Sequence, residues 1–140
     1  MSTMSDKTIF DIIHQMDTFT NRVMINWNKM FNEDLGISHV LTLGFINRNE
    51  KARPSDISKE LGLTPPTVTH LVNKLVKKEL VQRKLDASDR RIIYLEITKE
   101  GEEVLKRAHV EGQELRREFF LKLSGEERKQ LLNIYAKLNA

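Results

Sequence analysis

The sequence contains no cysteine. That absence removes disulfides, thiolate metal sites and thiol-based redox sensing, and it fits a cytoplasmic setting. Long apolar runs are missing too: none approaches the roughly 18 residues that a membrane-spanning helix requires. The opening residues, MSTMSDKTIF, lack the basic-then-apolar order of a secretory leader, so no membrane association is expected. There is no glycine-rich phosphate loop, no HExxH pair and no nucleophile elbow. The four histidines, His14, His39, His70 and His109, share no metal-ligand spacing, which leaves only a site assembled from Glu and His on distant helices. Catalysis, a cofactor and a bound metal are therefore not expected. Glycine and proline are scarce, and several of the few present punctuate helices.

What is present is charge and amphipathic pattern. Charged residues make up 31% of the chain and apolar residues 39%, which suits amphipathic helices around a modest core, with apolar surface left for a second chain. Between Arg53 and Tyr94 nine lysines and arginines stand against five acids, while the remainder is close to neutral. A basic centre between nearly neutral arms suits a phosphate-facing module. An excess of that size is ordinary when taken alone.

Apolar residues from Ile9 through Ile12, Met16, Phe19, Val23 and Trp27 to Phe31 step by three or four, predicting a long first helix capped by Ser5 or Asp6 and stopped by Gly36. Ser38 is expected to cap a second helix carrying Val40, Leu41, Leu43 and Ile46. After a polar loop, Arg53-Pro54-Ser55-Asp56 opens a short third helix, with proline at its first position and an acid in its first turn. Gly62 ends it in a left-handed cap, and Thr64 with Pro65 starts the fourth. Two short helices joined by a tight glycine turn make a helix-turn-helix.

In the fourth helix Val68, Leu71, Val72, Leu75 and Val76 form a buried stripe. The opposite face carries Pro66, His70, Asn73, Lys74 and Lys77, flanked by Thr67 and Thr69. A solvated face would more often mix Glu and Lys at four-residue spacing. Here no acid occurs until Glu79, and Thr, Asn and His are poor interior helix formers. Base-edge hydrogen bonding gives such a cluster a purpose. Two alternating runs, Val81-Arg83-Leu85 and Ile93-Leu95-Ile97, flank Asp86-Ala87-Ser88-Asp89-Arg90-Arg91 and predict a hairpin. Its tip arginines are placed to enter a narrow minor groove. Asp86 and Asp89 are expected to hold the arginines and shape the turn, although a solvated charged turn is the ordinary reading of any lone hairpin.

Thr98 is expected to cap a fifth helix with Val104, Leu105, Ala108, Leu115 and Phe119 on one side. Ser124-Gly-Glu-Glu127 is a capping box for a sixth. The expected fold is mainly α with a β wing: a winged helix-turn-helix module over residues 37–98, an N-terminal arm over 1–36, and C-terminal helices over 99–140. The arms cannot all bury their stripes on so small a module, so a homodimer is expected. It would set two reading heads about one helical turn, roughly 34 Å, apart on duplex DNA.

The segment DISKELGLTPPTVTHLVNKLVKKELVQRKLDASDRRIIYLEITKEG, with Asp86-x-x-Asp89-Arg90-Arg91 followed by an apolar strand and Thr98-x-x-Gly101, resembles the multiple-antibiotic-resistance regulator (MarR) family of bacterial transcription factors. The resemblance implies a homodimeric DNA-binding regulator, usually a repressor released by a small, often aromatic, anionic effector. It implies major-groove reading by Pro66, Thr67, Thr69, His70, Asn73 and Lys74. It also implies a wing of Asp86, Asp89, Arg90 and Arg91, with Arg90 entering the minor groove. Ser38, Arg53 and Ser55, at helix starts, and Lys77 are the expected phosphate contacts. Met24, Trp27, Phe31, His39 and Phe45 are candidates to line an effector pocket, against the plainer reading of each as core. Glu79 departs from the family pattern, which commonly has glycine between recognition helix and strand; glutamate adopts positive φ reluctantly.

Two rival readings remain at this stage. A winged helix can serve as a protein–protein module, against which the acid-poor recognition face argues. It can also pack DNA without sequence preference, against which the modest net charge argues.

Overall fold

The computed structural model describes residues 3–140. The elements run α1 (Thr3–Met30), α2 (Ile37–Arg48), α3 (Pro54–Leu61), α4 (Pro65–Lys77), β1 (Val81–Leu85), β2 (Ile93–Ile97), α5 (Lys99–Phe120) and α6 (Gly125–Leu138). They divide into two compact units. One comprises the described residues up to Asn26 with Val110–Ala140; the other is Trp27–His109.

The second unit holds the winged helix-turn-helix. Leu43, Ile57, Val68, Leu75, Val81 and Leu95 are almost wholly buried there, each stabilising the fold by about 2 kcal/mol relative to an exposed side chain. β1 and β2 pair antiparallel, with Val81 opposite Ile97 and Leu85 opposite Ile93. The Leu95 amide donates to the Ala52 carbonyl at 2.7 Å, so the chain entering α3 adds a one-residue rung to the wing root.

The helix boundaries follow their local chemistry. Asp56 Oδ2 accepts from the Arg53 amide at 3.1 Å at the start of α3, and Gly62 ends it with φ 64° and ψ 33°. Ser124 and Glu127 exchange bonds of 3.1 and 2.8 Å in the capping box of α6. Thr98 Oγ1 accepts from the Gly101 amide at 3.0 Å and donates to the Glu79 carbonyl at 2.8 Å, tying the end of α4 to the start of α5.

Two expectations change. α1 begins at Thr3, so Ser5 and Asp6 lie within the helix rather than capping it. Ser38 is not the cap of α2: Gly36 is, because the His39 ring reaches back and its Nδ1 accepts the Gly36 amide at 3.1 Å. α2 buries five consecutive residues, Thr42 to Ile46, while Leu41 stays exposed. A helix enclosed on most sides carries little amphipathic period, so the apolar pattern of α2 alone does not reveal its buried face. Thr42, fully buried, satisfies its hydroxyl by donating to the Ser38 carbonyl at 2.8 Å.

In the first unit the Phe19 ring meets Phe119 edge-on, with centroids 5.2 Å apart, and Phe120 at 6.1 Å. Much apolar surface is nonetheless exposed: Ile9, Phe10, Ile12 and Met16 on α1, and Leu132, Ile134 and Leu138 on α6.

Candidate nucleic-acid interface

Thr64 starts α4 by accepting a long 3.4 Å bond from the Thr67 amide, and prolines occupy the first two helical positions. From there the helical period turns Val68, Leu71, Val72 and Leu75 into the core. It leaves Pro66, Thr67, Thr69, His70, Asn73 and Lys77 exposed on the other side. Val76, expected in the stripe, lies at its edge and is only partly buried. Lys74 is partly buried and pairs with Asp34 at 3.3 Å. The Thr69 hydroxyl donates to the Pro65 carbonyl at 3.0 Å, so toward a ligand it offers lone pairs. Asn73 Oδ1 accepts a hydrogen bond from Arg83 of β1.

Beyond Lys77 the helix ends in a Schellman turn: the Leu80 amide donates to the Leu75 carbonyl at 3.0 Å and the Glu79 amide to Val76 at 2.9 Å. Glu79 sits where such turns favour glycine, with φ 62°. The junction thus keeps the glycine-type shape with a glutamate held in it.

At the wing tip the two aspartates divide their work. Asp86 Oδ2 accepts from the Ser88 hydroxyl at 2.9 Å and from the Asp89 and Ser88 amides at 2.9 and 3.2 Å. Asp86 therefore shapes the turn and holds no arginine. Asp89 grips Arg91 through both carboxylate oxygens, at 3.0 Å each. The Ser88 hydroxyl, and then the Asp89 amide, hold Asp86 below the usual carboxylate range; Arg91 does the same for Asp89. Arg90, next to this clamp, is exposed, and its guanidinium makes no hydrogen bond or ion pair with the described residues. An unheld cation on a rigid turn is free to contact a polyanion.

The expected phosphate contacts are all exposed. Ser38 is at the second position of α2, Arg53 at the cap of α3, Ser55 at its second position and Lys77 in the last turn of α4. The five candidate pocket residues have varied settings. Trp27 and Phe31 are 4% exposed, their rings 4.7 Å apart, and Trp27 Nε1 donates to the Leu35 carbonyl at 3.2 Å. Phe45 borders an open cleft of about 420 Å³ with Asn49, Lys51, Asp56 and Lys59. Met24 is exposed and belongs to the other unit. His39 uses Nδ1 on Gly36, which leaves its proton on a buried, unpartnered Nε2. Burial, then Lys74 and His70, push His39 below the ordinary histidine range.

The contact that sequence reasoning missed is that of Arg83 with Asn73. Arg83 alternates with Val81 and Leu85 on one strand face, and a charged residue in an apolar row was the available signal. Among the described residues no cluster of three His, Asp or Glu is arranged to hold a metal, and no helix is long and apolar enough to cross a membrane.

A helix-turn-helix whose second helix exposes a carboxylate-free polar face, followed by a hairpin with an unheld tip arginine, defines a winged helix-turn-helix protein. Residues 33–92 match the sequence model of the MarR family. The transcriptional repressor MprA of Escherichia coli (strain K12) is 28% identical over 122 residues, spanning 84% of this chain and 69% of that protein. The uncharacterized HTH-type transcriptional regulator YwhA of Bacillus subtilis (strain 168) is 30% identical over 96 residues, 69% of each chain. The crystal structure of the S. aureus MepR–DNA complex shares the fold, with a TM-score of 0.74 at 24% identity, covering 89% of this chain and 93% of that one. The chain belongs to the MarR family and is a DNA-binding transcriptional regulator, not an enzyme.

Proposed function

We propose that the protein is a repressor that binds a near-palindromic duplex operator as a homodimer and is released by a small aromatic or anionic effector. In this reading Thr67, Thr69, His70, Asn73 and Lys74 read the major groove, Pro66 packs against it, and Arg90 enters the minor groove from a wing stiffened by Asp86 and the Asp89–Arg91 pair. Ser38, Arg53, Ser55 and Lys77 bind phosphates. The observation that carries it is the pairing of an exposed α4 face without a carboxylate with an unheld Arg90 beside a clamped Arg91. Phosphate neutralisation needs the free cation, and base recognition needs the neutral donors and acceptors.

The exposed apolar side chains of α1 and α6 support the dimer, since patches of this kind on a small protein commonly mark association surfaces. The name of MprA as a repressor supports the direction of regulation. Release by an effector rests on the family resemblance, with Trp27, Phe31, His39 and Phe45 as the candidate lining. A cytoplasmic location follows from the same reading.

The test is selection of genomic fragments by the purified protein. The reading expects a few discrete sites built from two inverted half-sites about one helical turn apart. Uniform enrichment across the genome would instead support DNA packing. Binding to single, unpaired half-sites would remove the dimer.

A further inference from the structure

The bond between Asn73 and Arg83 joins two elements that the winged-helix reading treats separately, the recognition helix and the first wing strand. A guanidinium has only donors. The side of the amide that faces it is therefore the oxygen, whichever way the amide group is drawn. Both residues are exposed, so the bond forms in competition with water, and Asn73 stands on the face of α4 that the proposed function turns toward DNA. Asn73 then shows outward its two N–H donors, and Arg83 keeps donors to spare beside them.

We infer that Arg83 is a specificity-determining residue: held on Asn73, it converts the asparagine from a reader of adenine into part of a donors-only unit that reads guanine. This rests on the reading that α4 enters the major groove. An asparagine that reads adenine uses its oxygen to accept from N6 and its amino group to donate to N7. Here the oxygen already serves Arg83. Its second lone pair remains, but an adenine amino group reaching it would be set against the guanidinium's own N–H groups and its charge. Guanine presents two acceptors, O6 and N7, on the same edge. The Asn73 amino group and a spare Arg83 N–H match that pair with no donor facing a donor. Arg83 also links β1 to α4.

The test is selection from a randomised duplex pool with the full-length wild type and three variants, each checked for native helicity and melting. Asn73→Ala locates the position, as the one base preference that is lost. The wild type is expected to favour guanine there. Arg83→Ala frees the oxygen and is expected to raise the adenine-to-guanine ratio at that position by about tenfold, leaving other positions unchanged. Arg83→Lys, which keeps a donor and a charge, is expected to retain guanine. A wild-type preference for adenine at the Asn73 position overturns the inference, as does a guanine preference that survives Arg83→Ala. A pool from which the wild type selects nothing overturns the operator reading itself, and this inference with it.

Discussion

Gly101 shows what a single hydrogen atom in place of a side chain achieves in this fold. A Cβ built there would lie 2.2 Å from the Leu80 carbonyl oxygen and 2.8 Å from Ile97 Cγ1, both part of the wing root. Backbone cannot retreat from such a contact, so Gly101→Ala is expected to destabilise the protein by about 1–3 kcal/mol in urea titration. Unchanged stability would mean that α5 starts farther from the wing. Glu79 is the opposite case, a side chain where glycine would be easier. Its left-handed backbone, φ 62°, is strained for a residue with a Cβ. Glu79→Gly is expected to stabilise by about 0.5–1 kcal/mol, the relief of strain partly offset by the freer unfolded chain. A loss of stability on that change would show that the glutamate side chain makes a contribution larger than its strain. Both residues stand in the resembling segment, and the sequence flagged Glu79 as a departure. The distance from Gly101 to Leu80 was not legible, because it depends on how two elements pack.

Among the elements, the helix-turn-helix was the most legible part. Pro54, Asp56, Gly62, Thr64 and Pro65 each act within their own turn, so local chemistry sufficed to set both boundaries. The start of α2 was misread because Ser38 and Gly36 are both acceptable caps in isolation, and the choice fell to a His39 ring three residues along. The wing was legible as a hairpin, while its internal division of labour was not. Only the folded geometry separates the clamped Arg91 from the unheld Arg90. The Asn73–Arg83 link was equally hidden, since its partners lie on different elements. Arg90→Ala is expected to weaken operator binding and flatten the dependence of log K on log salt by about one unit per chain; an unchanged slope would mean that the tip does not touch DNA. The wing should also resist acid. The Asp86 carboxylate accepts three bonds in the folded turn, so its stabilising effect is present above the ordinary aspartate range and is lost as pH falls through its lowered folded value. Amide signals of Ser88 and Asp89 are expected to hold their folded positions from neutral pH to below that ordinary range. Collapse at or above it would contradict the turn described.

At the scale of the whole molecule, charge and apolar surface are distributed unevenly, and that division is what suits the protein to regulation. The unit from Trp27 to His109 carries the polar face of α4 and the unheld tip cation, and the other unit carries exposed apolar stripes. In the proposed function the first meets a polyanion, and the second a copy of itself. Net charge is only +3, so unspecific attraction to DNA is modest, and the proposed function assigns selectivity to the polar face of α4. Sequence reading is the property on which the proposed function turns. Its most direct test is competition, at physiological salt, between a site selected from the genome and random duplex of equal length. A sequence-reading regulator is expected to bind its site at least about a thousandfold more tightly than the random competitor. Equal displacement by the two duplexes would mean that the chain does not read sequence.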